Sequence, residues 1–287
     1  MSEPLNGLVV VDKPGGLTSH DVVARVRKLA GTRKVGHAGT LDPMATGVLV
    51  LGVNRSTRLL GHLLLTHKRY DATIRLGVTT TTDDAEGEVT ATLPTDGVDE
   101  ASVRSALAGF VGEIDQVPSA VSAIKVDGRR AYERVRAGEE VVLPSRRVTV
   151  HAIDVRSVDG ADVEVSVHCS SGTYIRAIAR DLGAALGTGG HLTALRRTAV
   201  GAFGIDRAHT LEQLAEDLVV VPVAEAARAT FPAHDLDAEQ AADVRVGRKL
   251  ALDLGAAGPV AVFAPDGEFL ALYEQSGELA RAVAVFV

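Results

Sequence analysis

The 287-residue sequence contains no tryptophan, a single cysteine and only 3% aromatic residues. Because Cys169 has no partner in the chain, an intrachain disulfide is excluded, and a reducing cytoplasm is the simplest location. No apolar run approaches the roughly 18 residues that a membrane-spanning helix requires, so no membrane partner is expected. The N-terminus lacks a basic segment followed by a long apolar one, so no signal peptide is expected either.

The motifs of several enzyme classes are also missing. The nine histidines form no HExxH pattern, and His168 and Cys169 would lie on opposite faces of a strand, so a zinc site is not expected. The glycine-rich segment 186–190 lacks both the P-loop lysine and the spacing of a dinucleotide-binding loop. Glycosidases place a pair of carboxylates across the sugar, whereas the most distinctive motif of this chain supplies one.

The composition is that of a globular protein, with 46% hydrophobic and 23% charged residues, and the length accommodates one large domain and one small one. The net charge of −7 argues against a generally basic RNA-coating protein. Basic residues nevertheless concentrate in 13–75 and 125–147, and acidic ones in 83–88 and 212–239. This distribution predicts one face that binds a polyanion, and solvated helix faces are the alternative.

The most informative stretch is HAGTLDPMATGVL, at residues 37–49, because it holds one carboxylate in a turn of glycine, threonine and proline. Pro43 restricts Asp42 to extended conformations, and Gly39 and Gly47 permit backbone angles that a side chain forbids. An apolar run, 48–51, follows as a candidate buried strand. The stretch predicts a presented acid, although a carboxylate that only closes a turn gives the same pattern.

Hydrophobic periodicity predicts strands and helices in an irregular order, which favours an α+β class over a strict βαβ repeat. The predicted elements are a strand at 8–11, a helix at 20–30 capped by Ser19, a strand at 69–76, a short helix around 103–110, a hairpin turning at 159–160 and a helix at 173–186. Behind Phe231-Pro232 the pattern changes to short strands, at 260–263, 269–273 and 283–287. A second, β-rich domain is therefore predicted at the C-terminus.

Five blocks of this chain resemble, in order, those of the TruB-type tRNA pseudouridine synthases. They are GLVVVDKPGGLTS at 7–19, HAGTLDPMATGVLVLGVNRSTRL at 37–59, KRY at 68–70, SGTYIR at 171–176 and HLTALRR at 191–197. Five blocks in family order are far more specific than any single short motif. The resemblance implies a pseudouridine synthase fold, in which helices flank a mixed, mainly antiparallel sheet.

The resemblance also implies an activity, the isomerisation of uridine 55 in the TΨC loop of tRNA to pseudouridine. The reaction breaks the N1–C1′ bond, turns the uracil and joins C5 to C1′, so no cofactor and no metal are expected. Asp42 attacks C1′, attacks C6 of the base or removes a proton at C2′, and the sequence leaves all three routes open. A non-catalytic tRNA-binding or tRNA-folding chaperone on the same scaffold is the alternative function.

Roles for other residues follow from the resemblance, block by block. Arg176 pairs with Asp42 and keeps it ionised, and Tyr70 stacks on the uracil and takes part in proton removal from C5. Tyr174 contacts the flipped nucleotide and Leu195 lines its pocket. A core tyrosine, a surface arginine and a core leucine are the structural alternatives for Tyr70, Arg176 and Leu195.

Two residues of the opening blocks complete the predicted site. His37 enters the T loop near the vacated stack, or it only stabilises its own turn. Lys13 supports the Asp42 loop or touches phosphate. Asp84 matches a family acid, for which a structural and an RNA-orienting role both stay open.

The family resemblance further predicts the domain organisation. Residues 1–228 form the catalytic domain, with an RNA-gripping insertion near 118–147, and 229–287 form a small, β-barrel-like PUA-type RNA-binding domain. The predicted partner is the T stem-loop of tRNA, and one self-contained site per chain favours a monomer.

Overall fold

The computed structural model of this chain describes residues 5–119, 125–126, 129–130 and 143–287, the four central ones by their backbone alone. The described residues form two compact units. The first unit comprises residues up to Asp42 together with 47–64 and 200–287, and the second comprises 43–46 and 65–199. No helix among the described ranges is long and apolar enough to cross a membrane.

The strands and helices are numbered in chain order. The strands are β1 Gly7–Lys13, β2 Val35–His37, β3 Thr46–Val53, β4 Lys68–Leu76, β5 Val78–Thr80, β6 Val89–Thr92, β7 Gly112–Gln116, β8 Lys125–Val126, β9 Arg129–Arg130, β10 Arg146–Asp159, β11 Asp162–Cys169, β12 Gly190–Val200, β13 Phe203–Gly204, β14 Val221–Pro222, β15 Ala233–Asp235, β16 Val260–Phe263, β17 Phe269–Ser276 and β18 Leu279–Val285. The α-helices are α1 Ser19–Leu29, α2 Leu60–Leu64, α3 Glu100–Ala108, α4 Ile175–Ala185, α5 Leu211–Glu216, α6 Val223–Thr230 and α7 Ala238–Arg245, and 3₁₀ turns lie at Asn54–Leu59 and Ile205–Arg207.

In the first unit, β1 pairs antiparallel with both β14 and β3, and β2 pairs antiparallel with β3. Strand β1 is buried at almost every position, which explains its unbroken apolar run, because a strand covered on both faces shows no alternation. The loop that carries Asp42 joins β2 to β3. The core of this unit therefore forms the support for that loop.

The C-terminal strands of the first unit form a second sheet in the order β15-β16-β17-β18, in which β15 and β16 run parallel and the other pairs antiparallel. One of its faces contributes Phe263 and Phe269, joined by Phe286 just after β18, to the same core as Leu8 and Val10 of β1. Its other face packs on α7 in a separate core that contains Tyr273 and Val244.

The short strands predicted at 260–263 and 269–273 are present as β16 and β17. The compact unit that holds them also contains residues up to Asp42. The strand predicted at 283–287 begins earlier, at Leu279, because it pairs with β17 along most of that strand.

In the second unit, the sheet order is β12-β4-β11-β10-β7, with antiparallel registers from β4 to β7. Tyr70, Ala72 and Ile74 alternate on the buried face of β4, as their spacing predicts. The hairpin of β10 and β11 turns at Gly160, whose φ of 58° lies in the left-handed region that glycine adopts without strain.

Helices and sheets in irregular order confirm the α+β class with a mainly antiparallel sheet. Most of the predicted RNA-gripping insertion near 118–147, including its basic residues at 134 and 136, lies outside the described residues. Cys169 is buried, and burial raises the pKa of its thiol to about 11. A thiol with so high a pKa is a poor nucleophile at neutral pH, so Cys169 is a structural residue.

Candidate active site

Asp42 lies half-buried in the loop between β2 and β3. At the start of the loop the Ala38 N–H donates to the Val50 carbonyl, 2.9 Å away. At its end Gly47 pairs with Lys13 of β1. Gly39 and Gly47 have φ angles of 100° and 97°, which other residues adopt only with strain. The loop is therefore held at both ends by a buried sheet, with its carboxylate between them.

Ser19 anchors the residue immediately before Asp42. Its buried hydroxyl accepts the Leu41 N–H at 2.8 Å and donates to the Leu41 carbonyl at 3.0 Å. The predicted helix cap at Ser19 is wrong, because Thr18 caps α1 and exchanges hydrogen bonds with Asp21. Because Thr18 caps the helix, the Ser19 hydroxyl bonds Leu41 instead and so links the Asp42 loop to α1.

Lys13 is completely buried, and its ammonium donates to the carbonyl oxygens of Pro14 and Leu17 at 2.9 and 2.7 Å. A phosphate contact requires an accessible ammonium. The geometry therefore favours the supporting role over the phosphate-binding one. His37 ends β2, and its ring meets that of His20 edge to face, with centroids 5.7 Å apart.

In the second unit, Arg176 occupies the first turn of α4 and is buried with Asp84. Its guanidinium lies 3.3 Å from the Asp84 carboxylate and donates to the Thr82 carbonyl at 2.9 Å. The same carboxylate accepts the Thr82 hydroxyl and the Glu86 N–H, the latter at 3.0 Å. Asp84 is therefore the buried ion-pair partner of Arg176, which favours a structural role for it. A surface arginine, the alternative for Arg176, is excluded by its burial.

Tyr174 is the N-cap residue of α4, which begins at Ile175, two residues later than the predicted start. The Gln116 side chain accepts the Tyr174 N–H at 2.8 Å and donates to its carbonyl at 3.0 Å. Sequence patterns gave no signal for Gln116. The residue ends β7, a strand far from Tyr174 in the chain. A single buried amide thus fixes the backbone from which the half-buried Tyr174 side chain extends.

Besides Arg176, the described part of the second unit contains the buried cations Lys68, at the start of β4, and Arg197, on β12. Burial and, to a smaller extent, the Arg197 charge lower the pKa of Lys68 to about 8. Leu195 is also buried, two positions before Arg197 on the same strand.

A family model described as "TruB family pseudouridylate synthase (N terminal domain)" matches residues 27–175, slightly more than half of the chain. The chain belongs to the TruB family. Two C-terminal TruB models, described as "tRNA pseudouridylate synthase B C-terminal domain" and "tRNA Pseudouridine synthase II, C terminal", match residues 176–228 and 231–287.

Similar TruB-family sequences span nearly the whole chain. A protein from Arthrobacter sp. (strain FB24) named tRNA pseudouridine synthase B is 58% identical, with 98% of this chain and 97% of the relative covered. A Streptomyces griseus protein of the same name is 59% identical with the same coverage.

The solved structure of a Cbf5-Nop10-Gar1 complex contains a chain with a TM-score of 0.77 and 28% sequence identity, and the match covers 98% of this chain and 85% of that one. A chain in the structure of an H/ACA RNP bound to a substrate RNA containing 2′-deoxyuridine has a TM-score of 0.74 and 27% sequence identity. That match covers 98% of this chain and 85% of the other.

Each compact unit of this TruB-family chain carries part of the predicted site. The first unit holds Asp42, His37 and Lys13 on the β1–β3 sheet, and the second holds Tyr70, Tyr174, Arg176 and Leu195. The structure gives contacts to predicted site residues or their chain neighbours for three further residues, of which Ser19 and Asp84 lie in sequence features noted above and Gln116 had no sequence signal.

Replacing Ser19 with alanine is expected to loosen the Asp42 loop. The change leaves the N–H and carbonyl of buried Leu41 without the serine hydroxyl, which costs about 1–3 kcal/mol of stability. Thermal unfolding and single-turnover pseudouridine formation measure the two effects. Ser157→Ala is the matched control, because the Ser157 hydroxyl bonds the exposed Glu164 carboxylate. Equal melting temperatures and rates for the two variants would contradict the anchoring role.

Proposed function

We propose that this chain converts uridine 55 in the TΨC loop of tRNA to pseudouridine. The observation that carries the proposal is the Asp42 loop, in which one carboxylate is presented from a buried sheet and fixed by Ser19. Family membership and relatives named tRNA pseudouridine synthase B support the reaction and the RNA class. The position within tRNA follows from the resemblance of the catalytic blocks.

The reaction is an isomerisation, so its atoms balance without a second substrate. The N1–C1′ bond breaks, the C5–C1′ bond forms, and the proton that C5 loses is matched by one gained at N1. An ionised Asp42 serves as nucleophile at C1′ or C6, or as base at C2′. The target uridine must leave its stack to reach the carboxylate.

In this proposal Arg176 pairs with Asp42. A guanidinium has five N–H donors in a rigid fork, so Asp84 and the Thr82 carbonyl fix one part of it while the remainder serves a second carboxylate. An opposite charge held in this way stabilises the ionised form of Asp42.

The other predicted residues hold the flipped nucleotide. Tyr70 stacks on the uracil and takes part in removing the C5 proton, while Tyr174 and Leu195 contact the nucleotide and line its pocket. His37 enters the T loop. Lys13 supports the Asp42 loop through its strand pairing with Gly47, and its ammonium is fixed by the carbonyls of Pro14 and Leu17.

Residues 229–287 are proposed as a PUA-like module that adds contacts to the tRNA, and the enzyme is proposed to act as a cytoplasmic monomer. RNA as the partner class is supported by the H/ACA RNP structure, which was solved with a substrate RNA. A metal is not required for any step.

The proposal is tested with an unmodified tRNA transcript incubated with excess protein. Isomerisation leaves the mass unchanged, so carbodiimide labelling followed by primer extension locates each pseudouridine. A single stop at position 55 is expected, and a transcript with cytidine at that position is the control. Binding without any label would instead identify a non-catalytic tRNA chaperone, and a stop elsewhere would contradict the assigned position.

Two substitutions at Tyr70 separate chemistry from packing. Tyr70→Phe keeps the ring and removes the hydroxyl, whereas Tyr70→Leu removes both. If Tyr70 stacks and transfers a proton, both variants isomerise slowly and Tyr70→Leu also captures the base less well. A purely structural tyrosine predicts a near-normal rate for Tyr70→Phe and a lower melting temperature for Tyr70→Leu. Single-turnover rates and thermal unfolding of the same preparations decide between them.

A further inference from the structure

Three histidines that are far apart in the sequence meet in the second unit. His67 directly precedes β4, His151 lies on β10 and His168 on β11. The His151 Nε2 and His67 Nδ1 atoms are 2.9 Å apart. The ring centroids of His151 and His168 are 4.7 Å apart, and those of His67 and His168 are 5.6 Å apart. One ring nitrogen from each of the three histidines lies within 4.8 Å of the other two.

A β-bulge contributes to this arrangement. Val150 pairs with Cys169 and Ala152 pairs with His168, so His151 is an extra residue on β10. Two residues of β10 therefore oppose the single His168, and a bulge of this kind redirects a side chain. The bulge therefore places the His151 ring beside the His168 ring, on the same side of the sheet.

The histidine cluster and Tyr70 use opposite faces of this sheet. Cys169 and Val167 are buried on both sides of His168 along β11, and side chains alternate between faces. His168 is opposite Arg69 in register, as Val167 is opposite Tyr70. His67 and His151 are exposed, so an ion from solvent has direct access without passing the proposed uridine pocket.

We propose that His67, His151 and His168 bind one divalent transition-metal ion per chain, with Zn²⁺ as the best match. Three imidazoles with an open fourth position are an established Zn²⁺ ligand set. Tetrahedral geometry at Zn–N distances of about 2.0–2.1 Å separates the nitrogens by roughly 3.3 Å. The 2.9 Å distance between His151 Nε2 and His67 Nδ1 must widen slightly, and the longest distance between two ring nitrogens, at most 4.8 Å, must shorten. Small side-chain rotations achieve both changes.

The donor set also decides which ions fit. The cluster offers nitrogen and no carboxylate, and Mg²⁺ and Ca²⁺ require oxygen ligands. Arg69 lies opposite His168 and repels a bound cation. A micromolar affinity is therefore expected, weaker than that of structural zinc sites. A bound ion links the start of β4 to β10 and β11 and stabilises this sheet.

The experiment uses the full chain without an affinity tag, after removal of metal by a chelator. Equilibrium dialysis against Zn²⁺ measures the stoichiometry, and Co²⁺ gives the visible absorption of a low-coordinate site. One equivalent per chain is expected, with a melting temperature that rises as Zn²⁺ is added. The isomerase rate is expected to stay unchanged, because the cluster lies away from the Tyr70 face.

Substitutions of individual histidines test whether the ion binds at this cluster. His67→Ala and His151→Ala remove exposed rings, so both proteins are expected to fold and to bind Zn²⁺ at least about tenfold more weakly. His234→Ala is the matched control, since His234 lies in β15 and outside the cluster. Loss of the bound equivalent in the first two variants and its retention in the control support the site. Absence of binding by the wild type, or equal binding by all variants, overturns it.

Discussion

Asp42→Asn is expected to abolish pseudouridine formation while leaving tRNA binding largely intact. The amide keeps the shape of the side chain but serves neither as a nucleophile nor as a base. We expect the single-turnover rate to fall at least about 1,000-fold, or roughly 4 kcal/mol in activation free energy. Binding is retained because RNA affinity comes mostly from distributed phosphate and stacking contacts.

The measurement is carbodiimide labelling of tRNA under single-turnover conditions, alongside filter binding. Asp96→Asn is a matched control, since Asp96 is an exposed carboxylate in a turn followed by a glycine. That variant should isomerise at the wild-type rate. Appreciable turnover by Asp42→Asn would remove Asp42 from all three routes. A loss of tRNA binding equal to the loss of rate would show that the carboxylate acts in capture and not in chemistry.

The second large effect is expected at the buried Arg176–Asp84 pair, whose side chains are only 6% and 4% exposed. Asp84→Asn removes the Asp84 carboxylate from the buried guanidinium, and Arg176→Met removes the Arg176 cation from the buried Asp84 carboxylate. Removing one partner of such a pair costs about 3–5 kcal/mol. The double variant is expected to cost less than the sum of the two single changes, because neither member of this pair is then left buried without the other.

Asp84→Asn also tests how Arg176 acts. Asp84 touches no substrate in the proposed mechanism, so any loss of rate must pass through the position of the guanidinium. We expect slower single-turnover chemistry with little change in tRNA affinity. Arg176→Lys should be slow as well, because a lysine lacks the fork that bonds both Asp84 and the Thr82 carbonyl.

Chemical denaturation and a double-mutant cycle measure the coupling between the two residues. The exposed pair of Glu100 and Arg104, at side-chain exposures of 56% and 49%, is the matched control. Glu100→Gln should change stability by no more than about 0.5 kcal/mol. If Asp84→Asn is as mild as that control and leaves the rate intact, Asp84 does not position Arg176.

Local sequence patterns predicted the strands and turns in which buried residues recur at a regular spacing. Strand β4 alternates at Tyr70, Ala72 and Ile74, and the hairpin of β10 and β11 turns at a glycine with a positive φ, so periodicity and turn chemistry were sufficient there. The helix cap was wrong by one residue. Both Thr18 and Ser19 are capping types, and only the packed structure shows that the Ser19 hydroxyl bonds Leu41 instead.

The sequence by itself determined the family and predicted one presented carboxylate, because the five motif blocks are contiguous runs that carry their own backbone requirements. Only the tertiary structure decided what holds the site residues and where the histidines meet. Gln116 binds Tyr174 across 58 positions, and Arg176 bonds the Thr82 carbonyl across 94. The three clustered histidines come from a loop end and two strands. Contacts of this kind depend on strand order, register and a bulge, and no local periodicity encodes which distant residues pair.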